Sequence, residues 1–230
     1  MKKPKNATGD NSPLDRRDFI KTGAAAAAVG SLAIDRGAFA QSSETVKVAL
    51  IGCGGRGSGA ANQALSTNGD VKLVAMADAF KDRMDSSQKG LQRAHGLKVD
   101  VKDENKFIGF DAYKKAIELA DMVILATPPG FRPVHFAEAI KQGKHVFMEK
   151  PVAVDGKGVR QVLAAAKEAK KKNLKVGVGL QRHHQLGYQE VVKKIQDGAI
   201  GDIVSARAYW NGGGVWVRER EKFEKAAGRK

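Results

Sequence analysis

Residues 46–57 read Val46-Lys47-Val48-Ala49-Leu50-Ile51-Gly52-Cys53-Gly54-Gly55-Arg56-Gly57. Apolar and β-branched residues run straight into glycines at 52, 54 and 57, and a helix-compatible segment, 58–65, follows. The order is strand, glycine turn, helix, with Gly-x-Gly-x-x-Gly at the turn. Gly52 suits a tight turn, Gly54 opens the backbone to a pyrophosphate, and Gly57 lets the helix lie close to the strand. The first N–H groups of such a helix lack acceptors of their own and face an anion. The glycine pattern alone arises by chance in a chain with 26 glycines. The strand before it and the helix after it turn it into a dinucleotide-binding signature.

Working outward, residues 71–78 read as the next strand and end in Asp78, 21 positions beyond Gly57. In dinucleotide folds an acidic residue about 20 positions on hydrogen-bonds the ribose hydroxyls. A carboxylate there repels a 2′-phosphate and favours NAD over NADP, whereas the nearby Lys81 and Arg83 work against that preference. Asp78 has a second candidate duty, as the N-cap of the next helix.

Beyond this unit, short apolar runs alternate with amphipathic stretches. The candidate strands are 46–51, 71–77, 122–126, 146–148 and 174–179. Helix 132–142 places Val134, Ala137 and Ile140 on one face, and helix 156–172 does the same with Val159, Val162, Leu163 and Ala166. Helices are also expected over 80–94 and 111–119, with a short strand near 99–101. Strands alternating with helices imply an α/β fold, a doubly wound parallel sheet that binds its ligand beyond the carboxyl ends of the strands.

Two strand ends carry unusual residues. The first is Thr127-Pro128-Pro129-Gly130, whose prolines fix a turn before a helix starting near Phe131. It suits either a cofactor-facing loop or a plain connection. The second is Met148-Glu149-Lys150-Pro151, where Pro151 holds Lys150 in extended backbone. Lys150 is a candidate for proton transfer at a strand's carboxyl end, or else a surface lysine paired with an acid.

The first 40 residues stand apart. A basic start, the pair Arg16-Arg17, an alanine-rich segment over 23–34 and Ala38-Phe39-Ala40 have the layout of a twin-arginine secretory signal cleaved near Ala40. The apolar segment is shorter than the about 20 residues that span a bilayer, so no permanent anchor is expected. The single cysteine, Cys53, excludes an internal disulfide and reads as a small filler in the glycine turn. The net charge is +15, of which +12 belongs to residues 41–230. The lysines are scattered rather than gathered into a nucleic-acid stripe, so no nucleic-acid partner is expected.

Together, Gly52–Gly57, Asp78, Thr127-Pro128-Pro129 and above all Met148-Glu149-Lys150-Pro151 resemble the glucose–fructose oxidoreductase / inositol dehydrogenase (Gfo/Idh/MocA) family over roughly 44–212. The resemblance implies an N-terminal Rossmann domain, a C-terminal α+β domain, and hydride transfer between NAD(P) and a sugar, cyclitol or related alcohol. It places cofactor contacts on Gly52, Gly54, Gly55, Arg56, Gly57, Asp78, Thr127, Pro128, Glu149 and Lys150, and sets Lys150 against the reacting hydroxyl. Some exported relatives instead use NAD transiently to cleave a glycosidic bond. A non-catalytic dinucleotide-binding remnant is the remaining alternative.

The expected organisation is a signal over 1–40, a Rossmann domain over 41–182 and the start of a second domain over 183–230. Residues 203–210 are its expected first strand, and the rest of that domain is expected to be cut short. A homo-oligomer is expected only with a complete second domain. Within Gln181-Arg182-His183-His184, Arg182 and His184 are the candidate substrate contacts. Adjacent histidines point to different faces and make a poor metal pair, so no metal is expected. The expected partners are a sugar or polyol substrate and the twin-arginine export machinery.

Overall fold

The computed structural model describes residues 45–212 and Arg220. The chain divides into two compact units at Val178/Gly179. In the first unit, β1 (Val46–Ile51), α1 (Gly55–Leu65), β2 (Val71–Asp78), α2 (Lys81–His95), β3 (Lys106–Ile108) and α3 (Ala112–Glu118) follow one another. Then come β4 (Met122–Leu125), α4 (Arg132–Lys141), β5 (His145–Met148), α5 (Gly156–Lys171) and β6 (Val176–Val178). The sheet order is β3-β2-β1-β4-β5-β6 and every pairing is parallel.

Alternation along β1 explains why the sheet is covered on both sides. Val48 and Leu50 face one core, where Ala60, Leu65, Met84 and Leu91 of α1 and α2 pack. Ala49 and Ile51 face the other, against Ile117, Phe136, Ile140 and Val162 of α3, α4 and α5. With both faces buried, the strand reads as a continuous apolar run. β1 lies between β2 and β4, so the chain leaves it to one side and returns on the other. Ligands bind at the carboxyl end of such a switch point.

Each helix runs back against the strands, so the helix C-termini gather at the amino rim of the sheet, away from that crevice. Lysines cap three of them. Lys98 Nζ donates to Leu65 O of α1 at 2.8 Å, and Lys144 Nζ to Glu118 O of α3 at 3.1 Å. Lys172 Nζ donates to Ile140 O and Lys141 O of α4 at 2.9 and 3.2 Å. Each satisfies carbonyls the helix cannot, at the negative end of its dipole.

The structure departs from the expected elements in three places. Helix α1 begins at Gly55 rather than 58, because Gly54 is the extended N-cap and the next residues are already helical. Residues 99–101 contribute a single bridge, Leu73 to Val99, and the edge strand forms later at β3. Val99 and Val101 do bury their side chains, but a short helical turn at Asp103–Asn105 breaks the ladder. Residues 203–210 form no strand. Their alternation supplies a strand's side chains, yet a strand exists only where a neighbour takes its backbone groups.

The second unit, described by itself, holds a short 3-10 helix (Gln181–His184) and α6 (Leu186–Gln196). Among the described residues, no helix is long and apolar enough to cross a membrane. The leader, Trp216 and the tail beyond it lie outside the described residues, apart from Arg220.

Candidate cofactor site

The site begins where β1 ends. Gly52 has φ +94°, and a Cβ there would meet Thr127 N at 2.6 Å. A Cβ on Gly57 would run into the Gly52 carbonyl. These two glycines are required for packing of the turn. Gly55 has nothing within 4 Å of a built Cβ, and Gly54 only Arg83 Nη1 at 3.8 Å, so this side of the turn is open. No side chain caps α1. Helix geometry leaves the N–H groups of 55–57 without internal acceptors. An open, side-chain-free cradle of free amides fits a pyrophosphate.

Asp78 braces this cradle. Its Oδ2 accepts from Cys53 N at 2.6 Å and its Oδ1 from Phe80 N at 2.9 Å. Phe80, not Asp78, is the N-cap of α2. The carboxylate still has lone pairs beyond these two bonds. Cys53 is buried, its thiol bonded to Ala77 O at 3.6 Å, and burial followed by the Asp78 charge pushes its pKa far up. It is the inert filler its position suggests. A cleft of about 630 Å³ opens beside the turn between α1 and α2, lined by Gly54, Gly55, Ser58, Asn62, Arg83 and Ser86 among others.

Register carries the rest of the rim. Ile51 pairs with Leu125, and Leu125 with Met148, so Gly52, Ala126 and Glu149 leave the sheet on one rung. Neighbouring strands are spaced by nearly 5 Å, which puts the Glu149–Lys150 end about 10 Å from the glycine turn. An ion pair closes that distance. Arg56 Nη2 lies 2.7 Å from Glu149 Oε1, an electrostatic contact rather than an aligned hydrogen bond. Glu149 is buried, with its N–H donating to Leu125 O at 3.0 Å, whereas Lys150 is exposed at the rim beside it. The Lys150–Pro151 peptide is cis.

The Thr127-Pro128-Pro129 turn closes through Phe131 N to Pro128 O at 3.0 Å and Arg132 N to Pro129 O at 3.2 Å. Two buried side chains of α4, neither singled out by the sequence reading, hold it. Arg132 donates through Nη1 to Leu125 O and through Nη2 to Thr127 O, the latter at 2.7 Å. Burial lowers its pKa and the Glu149 charge opposes that. His135 Nδ1 bonds Thr127 Oγ1 at 3.1 Å, with the Tyr113 ring 4.2 Å away. Burial first, then the Arg132 charge, brings its pKa down to about 4. A signal for Arg132 was present in the sequence, since a cation at a helix N-terminus carries the wrong sign for the dipole.

The structure therefore brings Gly52, Gly54, Gly55, Arg56, Gly57, Asp78, Thr127, Pro128, Glu149 and Lys150 to one rim of one sheet. Arg182 and His184 fall in the second unit. Arg182 Nη1 donates to Tyr188 Oη at 2.7 Å, with its guanidinium 4.9 Å from the Tyr188 ring and 5.8 Å from Trp210. His184 is exposed. Among the described residues, no group of three or more His, Cys, Asp or Glu is placed to hold a metal ion.

The model of the GFO_IDH_MocA oxidoreductase family, NAD-binding Rossmann fold, matches residues 46–179. The chain belongs to the Gfo/Idh/MocA family. A twin-arginine translocation signal sequence matches residues 13–33 of this Gfo/Idh/MocA chain, which marks it for export. It is 31% identical over 159 residues to an inositol 2-dehydrogenase of Rhizobium meliloti, covering 69% of this chain and 43% of that protein. It is 30% identical over 149 residues to a glycosyl hydrolase family 109 protein of Solibacter usitatus, covering 60% and 33%. Among solved structures, a myo-inositol 2-dehydrogenase from Lactobacillus plantarum matches with a TM-score of 0.57 and 25% identity, covering 70% and 44%. The chain spans less than half the length of these relatives.

Proposed function

We propose that this Gfo/Idh/MocA chain serves an exported NAD-dependent oxidoreductase acting on a sugar, cyclitol or related alcohol. The observation that carries it is the shared rung: the glycine turn and Lys150 leave neighbouring parts of one rim, and the Arg56–Glu149 contact spans between them. A dinucleotide laid across this rim has its diphosphate on the amides of 55–57 and Asp78 beside its adenosine ribose. Thr127 and Pro128 flank it in the turn after β4, and its nicotinamide end meets Glu149 and Lys150. NAD, when bound, supplies the hydride acceptor. Lys150 contacts the reacting hydroxyl and assists removal of its proton, while the loop prolines keep water-binding N–H groups off the rim. Asp78 supports NAD over NADP, since a 2′-phosphate would meet its carboxylate. Residues 1–40 are the removable leader, 41–182 the cofactor domain and 183–230 the start of the substrate domain.

The test is calorimetric titration of NAD into the purified chain, which should show saturable binding below millimolar concentration. No heat at millimolar NAD would sink the proposal. A second reading has a specific observation behind it, the similarity to the family 109 glycosyl hydrolase protein. Release of nitrophenol from nitrophenyl glycosides without net NADH would favour it over an alcohol dehydrogenase.

A further inference from the structure

Arg132 is only 2% exposed. Its buried Nε has no hydrogen-bond partner among the described residues. An uncompensated polar group inside a fold costs stability that an apolar side chain at the same point would not. What the guanidinium touches shows what that cost secures. Leu125 O, the last carbonyl of β4, accepts both Arg132 Nη1 and Glu149 N. Thr127 O, in the proline turn, accepts Arg132 Nη2. The Glu149 carboxylate is near enough to act on Arg132 electrostatically, and it also pairs with Arg56 on the glycine turn.

One planar cation therefore sits where three pieces of the rim meet: the end of β4, the proline turn and the residue that precedes Lys150. We infer that Arg132 is a positioning residue of the cofactor site, fixing Glu149 and Lys150 against the Thr127 turn so that they meet the nicotinamide half of the dinucleotide. Lysine cannot replace it fully, because a single ammonium does not reproduce the two-pronged fork that reaches both carbonyls. The adenosine half is held elsewhere, by the glycine turn and Asp78 at β1 and β2. Loss of Arg132 therefore falls on one half of the ligand.

The inference rests on the proposed cofactor role, and its test separates the two. NAD and ADP are titrated into the full chain and into Arg132→Met, Arg132→Lys and Glu149→Gln, with circular dichroism confirming each fold. Arg132→Met should weaken NAD at least tenfold and leave ADP within threefold, with Arg132→Lys lying between it and the unaltered chain. Glu149→Gln should weaken NAD in the same selective way. Where Arg132→Met fails to fold, the NAD-to-ADP ratio of Arg132→Lys decides. Equal losses for both ligands, or no loss for either, overturn the positioning role and leave the cofactor proposal standing. An unaltered chain that binds neither ligand overturns the cofactor proposal and this inference with it.

Discussion

At the scale of single residues, the glycine turn separates packing from binding. Gly57 has no room for a methyl group against the Gly52 carbonyl, so Gly57→Ala should lower stability by about 3 kcal/mol or more in urea melts. Gly54 has φ −71°, an ordinary value, and open space on its outer side. Gly54→Ala should leave stability within about 0.5 kcal/mol while weakening NAD by roughly tenfold, because the proposed site lays the dinucleotide in that space. Equal losses of stability at the two positions would show that both glycines serve the fold alone. Lys150 belongs to the same scale. In the proposed reaction, Lys150→Met should cut alcohol-dependent NADH formation by a factor on the order of 10²–10⁴.

At the scale of elements, α4 ties the cofactor rim to acidity. His135 has a pKa near 4 in the fold against an ordinary value of 6.5. As pH falls, the unfolded chain takes up this proton first, so the contribution is complete above pH 6.5 and is lost from there down towards pH 4. At pH 5 the loss should be about 2 kcal/mol. Urea melts at pH 7.5 and 5.0 check this: the difference should shrink in His135→Gln. The opposite rim has its own device in the lysine caps. Lys172→Met should cost about 1 kcal/mol, since it leaves two carbonyls at the end of α4 to water.

Legibility in the sequence divides along the same line. The glycine turn, Asp78 and the Glu149-Lys150-Pro151 stretch announce themselves because their chemistry is local: spacing, residue type and the strand before them are enough. The buried Arg132 and His135 do not, because the face expected from Val134, Ala137 and Ile140 is not the one that packs: the helix buries Arg132, His135, Phe136, Ala139 and Ile140 and leaves Val134 exposed. Only the tertiary placement of α4 over the ends of β4 and β5 turns them inward. The lysine caps were hidden for a related reason. Each donor lies 31–33 residues or 26 residues from its carbonyl, beyond any local pattern. Residues 203–210 misled in the other direction, carrying a strand's alternation with no strand partner among the described residues.

At the scale of the whole molecule, charge is distributed with respect to function. Part of the positive excess is spent on helix ends at the amino rim. A second part, Arg56, Arg83 and Arg132, stands around the cofactor rim, where an anion is expected. Export is a property of the whole chain too. The matched signal depends on Arg16-Arg17, and a twin-arginine signal is read by a receptor rather than by membrane affinity. Replacing both arginines by lysine should leave the protein in the cytoplasmic fraction of a fractionated host while the folded core still binds NAD. Unchanged export of that variant would assign the leader to another route.

Because Gly52, Ala126 and Glu149 depart at one height, the separation between the glycine turn and Lys150 is two inter-strand steps. Peptide hydrogen bonding between the strands sets that gauge, and the side chains of Arg132 and Arg56 hold the ends that it brings together. Exchanges of side chains around the mouth should therefore leave the span between the glycine turn and Lys150 unchanged.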